Sequence, residues 1–415
     1  MIDKITKYNF LIFIVSFQLL FFFSDFNLYA QTFSLDGNGV TITCSGCSDG
    51  DTGIVGGLTY TAYDNTSIAA KSITDTDWDR VVTTLVTDMS SLFENEDTFN
   101  QDIRSWDTSN VTTMDAMFKG ATLFNQPLDS WTVSSVTDMD AMFREATAFN
   151  QSLNNWDVNS VTTMSRMFQE ADAFNQPLNN WDVSSVKYMQ FLFWKADSFN
   201  QPLNNWDVSS VLKMNEMFLQ SPFNQPINNW DVSSVTSMYR LFRDTDFNQP
   251  LNNWDISNVE NLAQMFMGND VFNQPLDNWD LSSATNIKYI FRGCTAFNQP
   301  LNNWDTSLIT NISGAFQSAR VFNQPLDNWD VSNVTHMDDV FNNAWEFNGN
   351  IDNWDVSNVI KMHEMFRDAR VFNRDITGWT ITSLNDMSGM FWNALLEKFG
   401  SIPSGARARC WITNY

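Results

Sequence analysis

The chain has 415 residues, with 48 acidic and 23 basic side chains and a formal net charge of -25 at pH 7. A protein this acidic is repelled by nucleic acid and by anionic lipid surfaces, so neither is expected as a partner. Neutral glycans, basic protein patches and divalent cations remain compatible with the charge.

Residues 1–30 have the composition of a secretory signal peptide. Lys4 and Lys7 precede an apolar run over residues 10–23, and Ala30 is a small residue at the expected cleavage point. The run is shorter than the roughly 20 residues that a transmembrane helix needs, so an uncleaved anchor is the less favoured alternative. We therefore expect cleavage near Ala30 and a mature chain that is secreted or at the cell surface, without membrane insertion.

Residues 31–88 carry no repeat and are rich in Gly, Thr and Asp. Alternating stretches at residues 40–42 and 58–61 predict short strands. We expect a small β-rich cap, because a stack of repeats would otherwise expose an apolar end.

The four cysteines are too few to hold a chain of this length together. We expect a local disulfide between Cys44 and Cys47, and a buried free thiol at Cys294. A zinc or redox site at the Cys44-x-x-Cys47 motif is the alternative, although no second ligand pair lies nearby in sequence. The pairing of Cys410 is not predicted.

A unit of 25 residues recurs over residues 89–394, and its clearest copy is residues 149–173, FNQSLNNWDVNSVTTMSRMFQEADA. A Phe-Asn pair recurs every 25 residues, except for two adjacent steps of 24, and a Trp follows each Phe seven residues later. The Phe residues are Phe99, Phe124, Phe149, Phe174, Phe199, Phe223, Phe247, Phe272, Phe297, Phe322, Phe347 and Phe372. A period of this size indicates stacked supersecondary units that share one core, about 12 or 13 of them here.

Each unit predicts one helix and one strand. In the sequence VTDMDAMFREA, apolar residues at Met139, Met142, Phe143 and Ala146 follow the i, i+3, i+4, i+7 spacing of about three helical turns. The piece from the Phe-Asn pair through the Trp to the next Val predicts a short strand that pairs in parallel with its neighbours. The expected fold is a repeat solenoid of α/β coils, similar to leucine-rich repeats, with a short helix and a short parallel strand per unit.

The two units of 24 residues are trimmed in the connection between the predicted helix and strand. Phe223 follows Phe218 by five positions, and Phe247 follows Phe242 by five, whereas Phe149 follows Phe143 by six. We expect a local dent or a change in curvature at these two connections.

The sequence FNQPLNNWDVSSVT, followed by MxxMF, resembles the 26-residue repeat family of bacterial surface proteins, the BspA-like group of leucine-rich-repeat-like exported proteins. The resemblance covers residues 89–394. It implies a secreted or surface-displayed solenoid, associated in some members with adhesion, and it implies no catalytic residues. The chain departs from surface-anchored proteins in having no recognisable LPxTG-type sorting signal, which puts covalent anchoring to the cell wall in doubt.

Three rows of repeated polar or aromatic residues allow a structural and a functional interpretation. The Asn of each Phe-Asn pair predicts a cap on backbone groups of the neighbouring coil, with a binding row as the alternative. The Trp row predicts a core stack with bonded indole N–H groups, with an exposed platform for sugars as the alternative. Asp follows ten of the twelve Trp residues and predicts Asx turns, with calcium bridging between coils as the alternative.

We expect noncatalytic recognition or adhesion, with a protein or polysaccharide ligand at a cell surface or matrix. The alternative is a structural spacer or matrix protein without a dedicated ligand. No cofactor is predicted, since calcium is possible but not favoured, and His336 and His363 are expected to be surface residues rather than catalytic ones. Aromatic and Arg side chains beyond the needs of the core predict the ligand-binding residues. These are Tyr188, Phe191, Trp194, Tyr239, Arg240, Arg243, Tyr289 and Arg292.

Residues 395–415 depart from the repeat. They contain no Phe-Asn pair, and they carry Arg407 and Arg409 close together. The segment is either a divergent C-terminal cap or a tail, and the sequence leaves both open.

Overall fold

The computed structural model describes residues 31–394. The predicted signal peptide, residues 1–30, and the predicted cap or tail, residues 395–415, lie outside the described residues, as does Cys410. The regular elements are β1 (Thr32–Leu35), β2 (Ile42–Ser45), β3 (Thr52–Val55), β4 (Leu58–Ala62), α1 (Asn65–Ala69), a 3-10 helix (Trp78–Arg80) and β5 (Val81–Val82).

The N-terminal elements form two small sheets. β1 and β2 pair antiparallel, while β4 pairs antiparallel with β3 and parallel with β5. The strand predicted at residues 58–61 is observed in β4, whereas of the predicted residues 40–42 only Ile42 lies in a strand, at the start of β2. The predicted disulfide between Cys44 and Cys47 is present. α1 starts after Asp64, whose carboxylate accepts the backbone N–H groups of the first turn.

Trp78 joins this N-terminal part to the repeats. Its ring is 1% exposed and lies 5.0 Å from the ring of Phe93 and 5.9 Å from that of Trp106. Its backbone carbonyl accepts the indole N–H of Trp106 at 3.1 Å. The first coil of the repeats therefore has its aromatic side covered by a side chain that belongs to no repeat.

From residue 89 onward the backbone runs in stacked coils, each hydrogen-bonded to the next. Residues 149–173 serve below as the reference coil, and its turn segment is residues 163–171. Single parallel bridges join the residues equivalent to Thr163 in thirteen successive coils, from Asp88 to Asp386. The N–H groups of four turn-segment residues donate to carbonyls of the following coil: Met164 to Tyr188, Arg166 to Gln190, Phe168 to Leu192 and Glu170 to Trp194.

The helix prediction is wrong, because the turn segments are series of tight turns and the described residues 89–394 contain no α-helix. Two residues in each segment, Arg166 and Glu170 in the reference coil, have φ of 60° and 56°. This left-handed conformation is incompatible with a right-handed helix. A helix would keep its N–H groups within one coil, whereas these turns donate half of them to the next coil and so link the stack.

The strand prediction between the Phe-Asn pair and the Val is also wrong. In the reference coil, Trp156 N–H donates to Leu153 and Val161 N–H donates to Val158, both through local turns. These groups are therefore not available for an extended ladder. Parallel bridging occurs at Thr163 instead, one residue in each coil.

Stacked aromatic rings fill the core. The rings of Phe168 and Phe174 stack with their centroids 4.0 Å apart. Equivalent rings of neighbouring coils also stack, as Phe149 does with Phe174 at 6.0 Å. Trp181 and Trp206 stack at 6.4 Å with nearly parallel rings. One continuous apolar cluster extends from Ile68 to Ala394.

Polar side chains occupy the core beside the two trimmed connections. In the reference coil, the N–H of Ala173 donates to the preceding coil, but the trimmed connections have one residue fewer here. Thr245, 5% exposed, donates its hydroxyl to the Phe242 carbonyl at 2.8 Å. Asn269, 0% exposed, donates to the Phe247 carbonyl at 2.7 Å. These side chains donate hydrogen bonds to buried backbone carbonyls beside the shortened connections, which lack one backbone N–H group.

Cys294 occupies the corresponding position in the next coil and is a buried free thiol, as predicted. The thiol donates to the Phe266 carbonyl at 3.0 Å. Burial raises the pKa of the Cys294 thiol well above its usual value, so this group is kept in its unreactive neutral form.

Candidate functional site

The outward positions of the turn segments carry a different side chain in nearly every coil. In the reference coil these are positions 163, 165, 166, 169 and 170, and together they are called the turn face below. Ser165 and Gln169 are buried in the reference coil itself, but the equivalent positions are at least partly exposed in most other coils. All eight predicted ligand-binding residues lie on it. Neighbouring positions 164, 167, 168 and 171 are buried and apolar, so the fold separates a constant core from a variable surface.

The first group of predicted residues lies around Trp194. The Phe191 and Trp194 rings are 5.8 Å apart, the Arg166 guanidinium lies 5.2 Å over Phe191, and the Lys195 ammonium lies 5.6 Å over Trp194. Tyr188 stands at the bridging position of the same coil and is 40% exposed. The first group is thus an aromatic pair flanked by two cations. Sequence reasoning did not assign these cations, Arg166 and Lys195, to the site.

The second group centres on Arg240. Its guanidinium lies 4.6 Å over the Tyr239 ring, and Arg240 and Arg243 each donate to the side-chain oxygen of Gln264 at 2.9 Å. Glu216 of the preceding coil is 3.8 Å from Arg240. Burial raises the pKa of Glu216, and the two arginines oppose this shift only in part. Sequence reasoning missed Glu216 and Gln264, because the contacts run between coils.

The third group consists of Tyr289 with two cations. The Lys288 ammonium and the Arg292 guanidinium lie 4.9 and 5.2 Å from the Tyr289 ring centroid. The ring also packs over Gly314 of the next coil, where a side chain would collide with it. The structure therefore gathers the eight predicted residues into three separate groups on alternate coils.

An open groove adjoins the turn face at the two trimmed connections, where a dent was predicted. Its lining residues are Asp197, Gln220, Ser221, Pro222, Asp244, Thr245, Asp246, Gly268 and Asp270. A second shallow groove continues it through Glu170, Asp172 and Lys195. Burial, followed by the charges of Asp197 and Glu170, raises the pKa of Asp172. The groove is strongly acidic and lies beside Trp194 and Arg243.

The Trp row is a core stack, as predicted. The twelve rings are at most 4% exposed, and each indole N–H donates to a carbonyl of the preceding coil or, for Trp106, of Trp78. These rings are not available as a platform for sugars.

The Asn row is a structural cap, as predicted. The Asn150 side-chain oxygen accepts the N–H of Asn175 at 3.0 Å and the side-chain N–H of Gln176 at 3.0 Å. The same pair of bonds recurs along most of the stack, which explains the Gln of the Phe-Asn-Gln motif. Sequence reasoning recognised the Asn but not the Gln.

The Asp row forms Asx turns, as predicted. Asp182, for example, accepts the N–H of Ser184 at 3.1 Å, and this residue lowers the pKa of Asp182. The same bond is made by every Asp that follows a Trp of the row. Among residues 31–394, no cluster of three or more His, Cys, Asp or Glu side chains could hold a metal ion.

His363 makes the closest approach to a hydroxyl side chain, with its Nδ1 2.8 Å from Ser388 Oγ. The Ser388 hydroxyl itself donates to Asp386 at 2.7 Å. His363, Ser388 and Asp386 thus form one chain of hydrogen-bonded side chains on the turn face. His336 lies at a bridging position, next to Thr335.

No described helix is long and apolar enough to cross a membrane. The described helical elements comprise only α1 and the 3-10 helix.

One family model matches the chain four times, over residues 59–162, 128–222, 220–326 and 285–401. Successive matches overlap, and together they cover well over half of the chain, including the last part of the N-terminal sheets. No curated protein and no solved structure matches the chain. A repeated match of this extent follows from the recurring coil, and the chain belongs to the bacterial repeat family described as "Mycoplasma protein of unknown function, DUF285".

Proposed function

We propose that this protein is an exported, noncatalytic recognition or adhesion protein of the BspA-like type, a leucine-rich-repeat-like solenoid that binds a protein or glycan through its turn face. One observation carries the proposal. The buried positions repeat from coil to coil, whereas the turn face concentrates Phe191, Trp194, Tyr239 and Tyr289 with neighbouring cations in one part of the stack.

The geometry around Trp194 supports recognition rather than packing. The core of that coil is filled by Leu192 and Phe193, both 0% exposed, so the half-buried rings of Phe191 and Trp194 are additional to it. Large aromatic side chains with adjacent cations are frequent anchors of protein interfaces. The acidic groove beside them favours a ligand with a basic part.

A binding screen tests the proposal. The chain, without residues 1–30, is tested against host-matrix proteins and polysaccharides, with and without calcium. For each ligand found, the double variant Phe191→Ala with Trp194→Ala is expected to lose at least about tenfold in affinity. Trp392→Ala is the matched control, since Trp392 occupies the same turn-face position as Trp194 in a distant coil and is 57% exposed. If the double variant folds and still binds each ligand like the unmodified chain, this part of the turn face is not the site.

The second candidate function is a structural spacer or matrix protein without a dedicated ligand. It is favoured because cations of the chain itself already contact the aromatic rings: Arg166 lies over Phe191, and Arg292 lies over Tyr289. On this alternative the aromatic groups stabilise the stack beside the trimmed connections. The double variant would then lose stability, and the screen would find no ligand.

Export is part of the proposal and rests on residues 1–30. Expression with and without this segment, followed by N-terminal sequencing of the secreted protein, tests it. A mature N-terminus close to Gln31 supports export with cleavage near Ala30, whereas retention of the full chain in the cell contradicts it.

A further inference from the structure

Arg320, Trp345 and Arg370 occupy equivalent positions of three successive coils, in the connection that follows the turn segment. The guanidinium carbons of Arg320 and Arg370 lie 4.4 and 4.0 Å from the centroid of the Trp345 ring. Because one Arg comes from the coil before Trp345 and the other from the coil after it, they cover opposite faces of the ring. These three residues are called the Arg-Trp-Arg stack below.

The two guanidiniums are exposed and have no carboxylate oxygen within 4 Å among the described residues. This is unusual in a chain with 48 acidic and 23 basic side chains, where most other described arginines are ion-paired. The Trp345 indole N–H, although buried, has no acceptor in the described part of the chain. The ring is therefore held by its two cation contacts rather than by a hydrogen bond, and the guanidinium N–H groups stay available.

Packing of the coils does not require this arrangement. Thr122, Thr147, Asp172 and Asp197 occupy the same position in earlier coils, and those coils stack in the same way. The charge along this column thus changes from acidic to cationic. Each cation-π contact fixes the plane and position of a guanidinium that would otherwise be mobile.

We propose that the Arg-Trp-Arg stack is an anion-recognition site that binds two carboxylates of an extended acidic peptide lying along the coil axis. A fixed guanidinium binds a carboxylate through two parallel hydrogen bonds. The two guanidiniums lie on opposite faces of the Trp345 ring, 4.4 and 4.0 Å from its centroid, and so are on the order of 8 Å apart. Alternate side chains of an extended peptide are about 6.6 Å apart, within the reach of Glu side chains. Both faces of the Trp345 ring are covered, so the ring cannot stack on a sugar, and this favours a peptide over an acidic polysaccharide.

The test uses a fluorescently labelled peptide of alternating Ser and Glu, with a matched peptide of alternating Ser and Gln. We expect saturable binding of the Glu peptide at low salt, weakening as salt is raised, and no binding of the Gln peptide. The double variant Arg320→Gln with Arg370→Gln is expected to lose at least about tenfold in affinity. Arg320→Lys with Arg370→Lys keeps the charge but loses the paired hydrogen-bond geometry, and should bind with intermediate affinity.

Arg104→Gln is the control variant, because Arg104 is ion-paired with Asp102 at the other end of the stack. It should bind the Glu peptide like the unmodified chain. Thermal melting of every variant establishes that it is folded, and the single variants replace the double variant if that does not fold.

The assignment is overturned if the unmodified chain shows no saturable binding, if the Gln variants bind unchanged, or if polygalacturonate binds more tightly than the peptide. The site is on different coils from Phe191 and Trp194. Phe191→Ala with Trp194→Ala should therefore leave peptide binding intact, so failure of this assignment and failure of the proposed function give different results.

Discussion

The indole N–H of each Trp in the row ties its coil to the carbonyl of a residue about 28 positions earlier in the chain, as Trp206 does with Leu178 at 2.9 Å. A single side chain thus contributes apolar burial, ring stacking and a buried hydrogen bond. At the residue scale, the stability of the stack is concentrated in such positions, while exposed aromatic residues contribute little.

Trp206→Ala should lower the free energy of unfolding by roughly 3 to 5 kcal/mol, since it leaves a cavity in a closely packed core. Trp392→Ala, at an exposed position, should change it by less than about 0.5 kcal/mol. Denaturant unfolding followed by circular dichroism measures both. Equal effects for the two variants would contradict the assignment of Trp206 to the core.

Gly349→Ala should destabilise the protein by about 1 to 3 kcal/mol, as overpacking usually does. A Cβ at this position would collide with the backbone carbonyl oxygen of Gln324 in the preceding coil, which cannot rotate away. Gly378→Ala is the control, because a Cβ there meets no atom within 4 Å. The same unfolding measurement applies, and a neutral Gly349→Ala would mean that the coils can separate locally at little cost.

Asp115→Asn should stabilise the protein at neutral pH. Burial, followed by the charges of Asp138 and Asp140, raises the pKa of Asp115. A carboxyl whose pKa is higher in the folded than in the unfolded state makes the fold less stable as the pH rises from the unfolded value, near 3.9, through the folded one. The gain from Asn should therefore be complete at pH 7 and vanish toward pH 3.

The control for this pH dependence is Asp182→Asn. The pKa of Asp182 is lowered by its bonds to Ser184, so its contribution to stability is present above the unfolded pKa and is lost as the pH falls through the folded one. The variant should be slightly less stable than the unmodified chain at neutral pH. Melting temperatures of both variants across the acidic range measure the two effects, and effects of the same sign would contradict the assignments.

At the scale of elements, each coil is built from tight turns rather than from a helix and a strand. The i, i+3, i+4, i+7 spacing of Met164, Met167, Phe168 and Ala171 points these side chains inward in either case, so the pattern alone could not separate the two. The decisive feature is the left-handed conformation at Arg166 and Glu170, and neither residue type indicates it.

Far-UV circular dichroism and infrared spectra test this turn architecture. Thirteen short helices would give a strong helical signal in far-UV circular dichroism, whereas the turn segments should give none beyond that of α1. Amide I infrared absorption provides the same information without interference from stacked indoles. A dominant helical band in both measurements would contradict the turn architecture.

The sequence predicted the repeat period, the buried Phe and Trp rings, the Asn and Asp roles, the disulfide and the dent, because each is a local or strictly periodic pattern. It could not predict contacts that arise only when coils stack. Gln176 capping Asn150, Gln264 bridging two arginines, and the Arg-Trp-Arg stack all join residues about 25 apart. The Gln of the Phe-Asn-Gln motif recurs in most units, but its partner is evident only in the stack. The positions of Gln264 and of the Arg-Trp-Arg stack differ from one unit to the next, so no repeated pattern marks them.

At the scale of the whole molecule, every coil contacts only its neighbours, and stability should be roughly the sum of coil and interface contributions. Deleting residues 149–173 removes one complete coil and joins Ala148 to Phe174 in the correct phase. We expect this variant to fold with a modest loss of stability.

Deleting only residues 149–160 is the matched comparison. It breaks the periodicity, so the bridging and core positions on the two sides of the deletion no longer coincide. This variant should lose much more stability, or fold only in part, and hydrogen exchange of the two variants would locate the affected coils. Similar stabilities for both deletions would contradict the nearest-neighbour description.

The left-handed positions accept Arg, Glu, Phe, Tyr, Gln, Asp and Gly in different coils without a change of backbone. The scaffold is therefore specified mainly by the inward side chains, and the left-handed positions accept many residue types except where a neighbouring side chain fills the space, as Tyr289 does over Gly314. Binding specificity could be rewritten one coil at a time, by exchange of whole coils or of single turn-face residues, while folding stays nearly constant. If the proposed recognition function holds, the residues that bind and the residues that stabilise the fold are largely separate sets.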